Sequence, residues 1–442
     1  MSGRATLLAI AVGALWAVSP VGIAAIMALG AACAYMTARL PRPERARVRV
    51  MLTAAMAVRL DVLAGVFVMT PADRQAFAIF PDAQYLIDRS IWLRNLWLHV
   101  PLGPRQYQEI FFPFGSASFA TFLAALQVAA GPAPFGLGFV SAAAFLCGAL
   151  VVYLVVRRGF GTAPAQVGLA ALLFWPSLVA WSVSVLKDPA QLFLTSVVCA
   201  GAVSISVASP RWTRAAWAAA VATALALLAT LRAGGVEMAV AGLALAAVLR
   251  LIAWRRWMLV VLVAFACAGV WRMRDRIGAE VQTSASRHIG HVQSAGVSYR
   301  LLDERYYSDG GESVSSISFS DGVRFLVGSA IAFVVAPLPW QAGSRGTLAL
   351  LPQQFAWYLV CAAAAVGFVV GMRRAPWLTC VLAGSALAGL LIIAPNSGNV
   401  GTLMRHRDLI VPFVLWLSGL GIVGIAEAAR PAGTPAQDAP YP

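Results

Sequence analysis

Long apolar stretches alternate along the chain with short polar connections that are rich in arginine. A helix that crosses a bilayer needs about 20 apolar residues. Stretches of this kind lie at 50–70, 135–156, 164–182, 189–208, 214–231, 236–254, 257–272, 353–371, 376–394 and 408–426. The pattern therefore predicts an all-α polytopic membrane protein.

A further apolar stretch precedes these spans. It runs from Ala5 to Leu40 and is interrupted at Ser19-Pro20. At about 1.5 Å per residue it is too long for one span and short for two, so we interpret it as a tight hairpin. A cleaved signal peptide in its first half is the alternative. With the hairpin, the prediction is about 11–12 transmembrane helices.

The arginines predict how the chain is threaded. With the N-terminus inside, the clusters at 39–49, 157–158, 211–214, 255–256 and 373–374 all fall on the cytoplasmic side, as the positive-inside rule requires. Most acidic residues and all four histidines then fall outside. We expect one transmembrane domain over 1–426, extracytoplasmic segments with interfacial helices at 71–134 and 273–352, and a disordered cytoplasmic tail at 427–442.

Composition excludes several other classes of protein. The chain is 60% hydrophobic and 12% charged, far below the charged share of about one quarter in soluble domains. The net charge of +15 comes from the arginines between spans, so no nucleic-acid partner is expected. The six cysteines lie in apolar runs without disulfide or zinc spacing. No motif predicts a cofactor, and no metal site is expected.

The only lysine of the chain, Lys187, stands beside Asp188 and Pro189 in the predicted outer turn of "WPSLVAWSVSVLKDP". Asp188 can cap the next helix and Lys187 can reach the lipid headgroups. Alternatively, a lysine at the outer ends of two helices can hold a phosphate as a point charge. Both interpretations stay open on the residues alone.

Asp82 lies in "FPDAQY", just after the first long span, with Tyr85 one helical turn further on. Its carboxylate can cap the interfacial helix that follows. A carboxylate at the membrane surface can also act as a general base toward a sugar hydroxyl.

Three further groups of residues are candidates. The glycine-rich stretch "NSGNVGTLMRHRDL" predicts an anion site with Arg405, His406 and Arg407, because amides at a helix N-terminus and guanidinium groups bind anions. Arg232, at another predicted outer helix end, is a candidate of the same kind. His288 and His291, spaced i, i+3, are weak evidence for a metal.

Three segments together resemble the GT-C class of membrane glycosyltransferases, which use polyprenyl-phosphate-linked sugars. They are "PDAQYLIDRS", "WPSLVAWSVSVLKDP" and "GNVGTLMRHRDLIVPFVLWLSGLG", and the resemblance covers most of 50–426. It implies a GT-C-like fold in a bacterial inner membrane, with an extracytoplasmic active site and membrane lipids around it.

The resemblance also implies residue roles. Asp82 would be the catalytic base, and Lys187, Arg405 and Arg407 would bind the donor phosphate. Asp188, Tyr85, Arg232 and His406 would support them. The implied reaction is an inverting transfer of the sugar to an extracytoplasmic glycan or lipid acceptor.

Two other functions remain open on sequence grounds. A polysaccharide polymerase or ligase acting on lipid-linked glycans would also carry arginines in its outer loops. A transporter or flippase would instead place charges near the bilayer midplane in broken helices, whereas here they concentrate at one surface.

Overall fold

A computed structural model describes residues 19–70, 79–111, 117–207, 210–294, 297–307, 317–341 and 345–430. Within these residues there is no β-strand, so the prediction of an all-α chain is confirmed for them. The α-helices are α1 Pro20–Thr37, α2 Arg42–Val68, α3 Pro81–Trp97, α4 Pro104–Phe111, α5 Ala117–Ala130, α6 Pro134–Phe160, α7 Thr162–Phe174, α8 Pro176–Val183, α9 Asp188–Ser206, α10 Arg211–Leu231, α11 Gly235–Trp254, α12 Met258–Arg272, α13 Arg274–Gln293, α14 Phe319–Val335, α15 Arg345–Arg374, α16 Pro376–Ile393, α17 Val400–Arg407 and α18 Val411–Ala428. Short 3-10 helices occupy Glu304–Tyr306, Pro339–Gln341 and Ala394–Asn396.

The helices identify a multi-pass membrane protein. In the described ranges, nine are long and apolar enough to cross a bilayer, or ten if α7 and α8 form one bent span. The nine are α1, α2, α6, α9, α10, α11, α15, α16 and α18. The predicted number was about 11–12. It included residues 5–18, which lie outside the described ranges, and 257–272, where α12 has only 15 residues.

The two predicted outer segments contain helices of their own. α3, α4 and α5 lie within 71–134, and α13 and α14 lie within 273–352. At the C-terminus α18 continues to Ala428, so the first two residues of the predicted tail are helical, and 431–442 lie outside the described residues. The sides of the membrane on which these segments lie stay predictions.

One predicted break and one predicted span can be compared with the structure. α1 begins at Pro20, and the Ser19 hydroxyl caps it by accepting the Gly22 amide at 3.0 Å. The predicted span 164–182 is not one straight helix, because α7 and α8 meet at an angle of 60°. Pro176 starts α8 and lacks the amide hydrogen that would continue α7.

Arg59 stabilises this bend from α2. The side chain is fully buried, and its Nε donates to the Ser182 hydroxyl at 2.7 Å. Its Nη1 donates to the Leu173 carbonyl at 3.2 Å, beside the break. Arg59 therefore satisfies a carbonyl near the helix break, which suits a charge placed inside an apolar helix.

The helices form two compact units. The first contains Met1–Arg158 and Leu169–Glu237, and the second contains Gly159–Gly168 and Met238–Pro442. Each unit is described by itself below.

In the first unit, α2 and α6 are antiparallel and joined at one end. Buried Glu44, in the first turn of α2, accepts a hydrogen bond from the Tyr153 hydroxyl at 2.6 Å and pairs with Arg157. At the other end of α6, a Cβ on Gly138 would lie 2.8 Å from the Val183 carbonyl oxygen. Only glycine permits this approach, which packs α6 against the end of α8.

In the second unit, α15 and α18 cross at two glycines. A Cβ on Gly367 or Gly421 would lie 1.8 Å from a carbonyl oxygen of the other helix, so both positions need the small residues that let membrane helices approach closely. Arg374 and Glu427, at the ends of these two helices, form an ion pair at 2.6 Å.

Candidate functional site

Asp82 lies in the first turn of α3. The helix begins one residue earlier, at Pro81, and its N-cap residue is Phe80, so the prediction that Asp82 caps this helix is wrong. The Asp82 side chain is exposed, whereas Tyr85 is half-buried one turn further on. A carboxylate in the first turn still favours the helix electrostatically, and its exposure leaves it accessible to a substrate.

α3 is fixed by buried polar contacts to the helices that follow it. Gln127 in α5 donates to the Ser90 hydroxyl at 2.8 Å, and Arg94 donates to the Gln127 carbonyl at 3.0 Å. Arg89 donates to the Ile110 carbonyl at 2.9 Å. Because buried polar groups need partners, these bonds set the position of α3, and with it that of Asp82.

A ring stack joins the start of α3 to α8. The rings of Phe80 and Trp181 are nearly parallel, with 3.9 Å between their centroids. Phe80 is two residues before Asp82, and Trp181 is six residues before Lys187. The stack therefore connects the two segments that carry the predicted base and the predicted phosphate ligand.

Lys187 and Asp188 form the turn into α9. The prediction that Asp188 caps this helix is wrong, because Asp188 is its first residue and Lys187 is the N-cap. The carboxylate of Asp188 instead accepts a hydrogen bond from Arg232 at 2.9 Å. Arg232, at the end of α10, also donates to the Gln191 side chain at 3.2 Å. The structure thus brings Lys187, Asp188 and Arg232 together at one end of the first unit.

A large apolar groove is lined by residues adjacent in sequence to this cluster, although Lys187, Asp188 and Arg232 are not among its lining residues. Its volume is about 940 Å³, at the upper end of the common range for ligand sites, roughly 300–1,000 Å³. Leu186 and Ala190 line it next to Lys187 and Asp188, and Thr230 and Leu231 line it next to Arg232. Its remaining walls come from α1, α5, α6 and α9 and consist almost entirely of apolar side chains.

The groove is elongated. It follows α1 from Pro20 to Ala32, which corresponds to about 18 Å of helix. α5 forms another wall, and this is the helix that the Gln127 contacts join to α3. The arrangement suits a molecule with a long apolar chain and an anionic group at one end.

The predicted anion site of the second unit has a different structure. α17 begins at Val400, and Asn399 caps it by accepting the Thr402 amide at 2.8 Å. The Val400 amide donates to the Val297 carbonyl at 2.8 Å. A Cβ on Gly398 would lie 2.3 Å from the His288 carbonyl oxygen. The glycine is therefore required for close packing on α13, and protein acceptors already bind these amides.

Arg407 is a buried structural residue, which corrects its predicted role in phosphate binding. Only 2% of it is exposed. Its guanidinium donates to the carbonyls of Phe333, at 2.9 Å, and Ala336. It also donates to the Gln354 side chain at 2.7 Å. Burial lowers the pKa of Arg407 to about 10, so the group stays charged at neutral pH.

Arg405 and His406 lie two positions and one position earlier on α17 and are half-buried. The Nδ1 atom of His406 is 2.7 Å from the Ser397 hydroxyl. Anion binding by these two residues stays a prediction.

Two histidines of α13 form contacts that the sequence did not predict. His288 is fully buried, with Nδ1 2.6 Å from the Ser397 carbonyl and Nε2 3.0 Å from the Tyr307 hydroxyl. Since a carbonyl only accepts, Nδ1 carries the proton and Nε2 accepts from Tyr307. Burial lowers the pKa of His288 to about 4. His291 likewise donates from Nδ1 to the Asn396 carbonyl at 2.6 Å.

These contacts give the two histidines a role in holding the 396–399 turn. Nothing in their i, i+3 spacing indicates this, because the turn is more than one hundred positions away in the sequence. In the described part of the chain, no group of three or more histidine, cysteine, aspartate or glutamate side chains is arranged to bind a metal ion.

Comparisons with protein-family models, with curated proteins and with solved structures find no match to this chain.

Proposed function

We propose that the protein is a membrane glycosyltransferase that takes its sugar from a polyprenyl-phosphate donor and transfers it to an extracytoplasmic glycan or lipid acceptor. The observation that supports this most is the apolar groove of the first unit, whose lining includes Leu186 and Leu231, the neighbours in sequence of Lys187 and Arg232. A polyprenyl chain is long and apolar, and its phosphate is an anion at one end. The polyprenyl chain matches the apolar groove, and the phosphate matches the positive charges of Lys187 and Arg232.

The charges at the end of the groove suit a phosphate that gains charge during transfer. Lys187 and Arg232 contribute two positive charges and Asp188 one negative charge, which leaves a net charge of about +1. A glycosyl phosphodiester carries about one negative charge, and the departing phosphate monoester carries up to two near neutral pH. A positive site therefore favours the products of bond cleavage over the donor.

Asp82 acts as the base in the proposed mechanism. An acceptor hydroxyl attacks the anomeric carbon of the sugar, and its proton passes to the Asp82 carboxylate. The bond between the anomeric carbon and the phosphate oxygen breaks, and polyprenyl phosphate leaves with the electron pair. Lys187 stabilises the departing phosphate as a point charge, and Arg232 holds the carboxylate of Asp188, the next residue in the chain.

Filling the groove tests this function. Ala144 lines it, and Ala144→Phe should block the long chain of the donor. We expect the KM for a full-length polyprenyl-phosphate sugar to rise at least about tenfold, since lost chain burial costs about 0.8 kcal/mol per CH₂. A donor with a short chain that does not reach Ala144 should be used as well as by the wild type.

The matched control is Ala218→Phe in α10, which adds the same side chain at an exposed position outside the groove lining. It should leave both donors unaffected. Unchanged use of the long donor by Ala144→Phe would count against a chain in the groove. Turnover of lipid diphosphate-linked oligosaccharides, with none of the monophosphate donors, would assign the protein as a polymerase or ligase instead.

A further inference from the structure

α12 is an apolar helix that packs against little of its own unit. It has 15 residues, and none of them is buried among the described parts of the chain. Several of its large side chains are exposed, and Val260 and Phe265, for example, are 72% and 73% exposed. A helix that is apolar on all sides and unburied in a membrane protein is covered by lipid or by another apolar surface.

The packing of the second unit indicates the end at which α12 starts. α11 runs antiparallel to α16, because Met238 lies beside Gly389 and Ala246 lies beside Gly384. The end of α11 therefore lies near the start of α16, at Pro376. α12 begins four residues after α11 ends, so it starts at this same end of the unit.

The later part of α13 lies at the opposite end of the unit. α13 follows one residue after α12, and its His288 and His291 contact Ser397 and Asn396, which come just after the end of α16. The first residues of α13 include Arg274, Asp275 and Arg276 and cannot lie in hydrocarbon. The membrane must accordingly be crossed within α12.

α12 is too short for a bilayer of ordinary thickness. Its 15 residues extend about 22 Å, whereas the hydrocarbon core is about 30 Å thick. Tilting the helix would shorten its reach further. Trp257 and Trp271 are 61% and 72% exposed at the two ends, where aromatic rings mark the membrane interfaces.

The Arg274 side chain does not lengthen the part of the chain that spans the membrane at the end of α12 that joins α13. The Arg274 guanidinium lies over the Trp271 ring, 5.2 Å from its centroid, and its Nε is 3.6 Å from the Asp275 carboxylate. Arg274 therefore stays at the level of the tryptophan, and both residues mark the same boundary.

We propose that the bilayer is locally thinned where it meets α12, by about 8 Å relative to ordinary hydrocarbon thickness. The partner of this surface is lipid, because the helix is apolar on every side and carries interfacial tryptophans at both ends. Thinning brings the two headgroup layers to Trp257 and Trp271 and leaves Arg274 in the polar layer.

Electron cryomicroscopy of the full-length protein in lipid nanodiscs tests the proposal directly. The separation of the two headgroup layers should be smaller beside α12 by about 8 Å than beside α10, a 21-residue helix with many exposed residues. Equal separations at the two helices would overturn the proposal. So would a second copy of the protein packed over α12, which oxidative cross-linking at exposed Cys267 would also detect.

A variant gives a second test. Insertion of seven apolar residues between Val263 and Ala264 lengthens α12 to about 33 Å and changes its helical phase by only about 20°. The headgroup separation beside α12 should then return to the value beside α10. The double substitution Val263→Leu and Ala264→Leu adds apolar atoms without length, and it should leave the thinning unchanged. Thinning that persists in the lengthened helix would contradict the proposed cause.

Discussion

Two regions of this protein carry arginine beside an acidic residue at a helix end, and the structure gives them different surroundings. In the first unit, Arg232 pairs with Asp188, and residues next to both in sequence line an apolar groove of about 940 Å³. In the second unit, Arg407 precedes Asp408 in the sequence, but its guanidinium is buried and donates to the carbonyls of Phe333 and Ala336.

The difference shows that an arginine at a helix end is not by itself an anion site. What distinguishes the two regions is the use of the guanidinium donors and the presence of a cavity. Arg407 donates to carbonyls within its own unit, where it acts as a structural anchor. Arg232 positions a carboxylate next to the only lysine of the chain, beside a groove large enough for a lipid chain.

The largest effect expected from this comparison concerns Arg407. Arg407→Gln should lower the free energy of unfolding by about 3 kcal/mol or more, because it leaves buried carbonyls without their charged donor. Thermal unfolding in detergent measures this loss. Arg405→Gln, at a half-buried position on the same helix, is the control and should cost less than about 1 kcal/mol. An Arg407→Gln protein that is fully stable but inactive would instead assign Arg407 to the ligand.

Substitution of Asp82 tests whether the first unit supplies the catalytic base. Asp82→Asn cannot accept a proton, so transfer should fall at least about a hundredfold while the protein stays folded. The control is Asp88→Asn on the same helix. Burial raises the pKa of Asp88, and its carboxylate accepts a hydrogen bond from Gln84 at 2.9 Å. Transfer by Asp88→Asn should stay within about threefold of the wild type. Near-normal transfer by Asp82→Asn would remove its role as the base.

The ion pair at the end of the groove should produce a smaller effect. Arg232→Gln is expected to reduce transfer about tenfold, because Asp188 loses its partner and the site loses one positive charge. Asp188→Asn and the double variant complete a mutant cycle. Since the two side chains are in direct contact at 2.9 Å, their effects should be non-additive by about 1 kcal/mol. Additive losses would show that the pair does not act as one unit.

The smallest expected effect is a dependence of stability on pH in the second unit. The pKa of His288 is lowered to about 4, from an ordinary value of about 6.5. The neutral His288 side chain therefore contributes to the free energy of unfolding. This contribution is fully present above pH about 6.5 and is lost as the pH falls through about 4. Unfolding should cost about 1 kcal/mol less at pH about 5.5 than at neutral pH. His288→Gln should lose this component, and a variant with the full wild-type pH dependence would exclude His288 as its source.

Hydropathy predicted most of the spans, because a transmembrane helix must be apolar along its own length. The interruption at Ser19-Pro20 was visible for a similar local reason, and in the structure Ser19 caps the helix that begins at Pro20. The bend at Pro176 follows a local signal too, although the apolar residues on both sides of the proline obscured it.

Contacts between distant segments could not be predicted in this way. His288 reaches Ser397 across 109 positions, and Arg407 reaches Phe333 across 74, so their partners depend on tertiary packing. The groove was missed for another reason. Its walls contain alanine, leucine and phenylalanine, which in sequence look the same as residues facing lipid. Lys187, the only lysine of the chain, was the sequence feature nearest to the groove.

The most direct test of the central claim is the binding of polyprenyl phosphate to the purified protein. Wild type should bind this lipid at least about tenfold more tightly than the neutral polyprenol of the same length, and Lys187→Gln should remove that difference. Lys187→Arg should restore part of it, because the planar guanidinium cannot take the position of an ammonium point charge. Equal affinity for the two lipids, unchanged by Lys187→Gln, would contradict a phosphate site at the end of the groove.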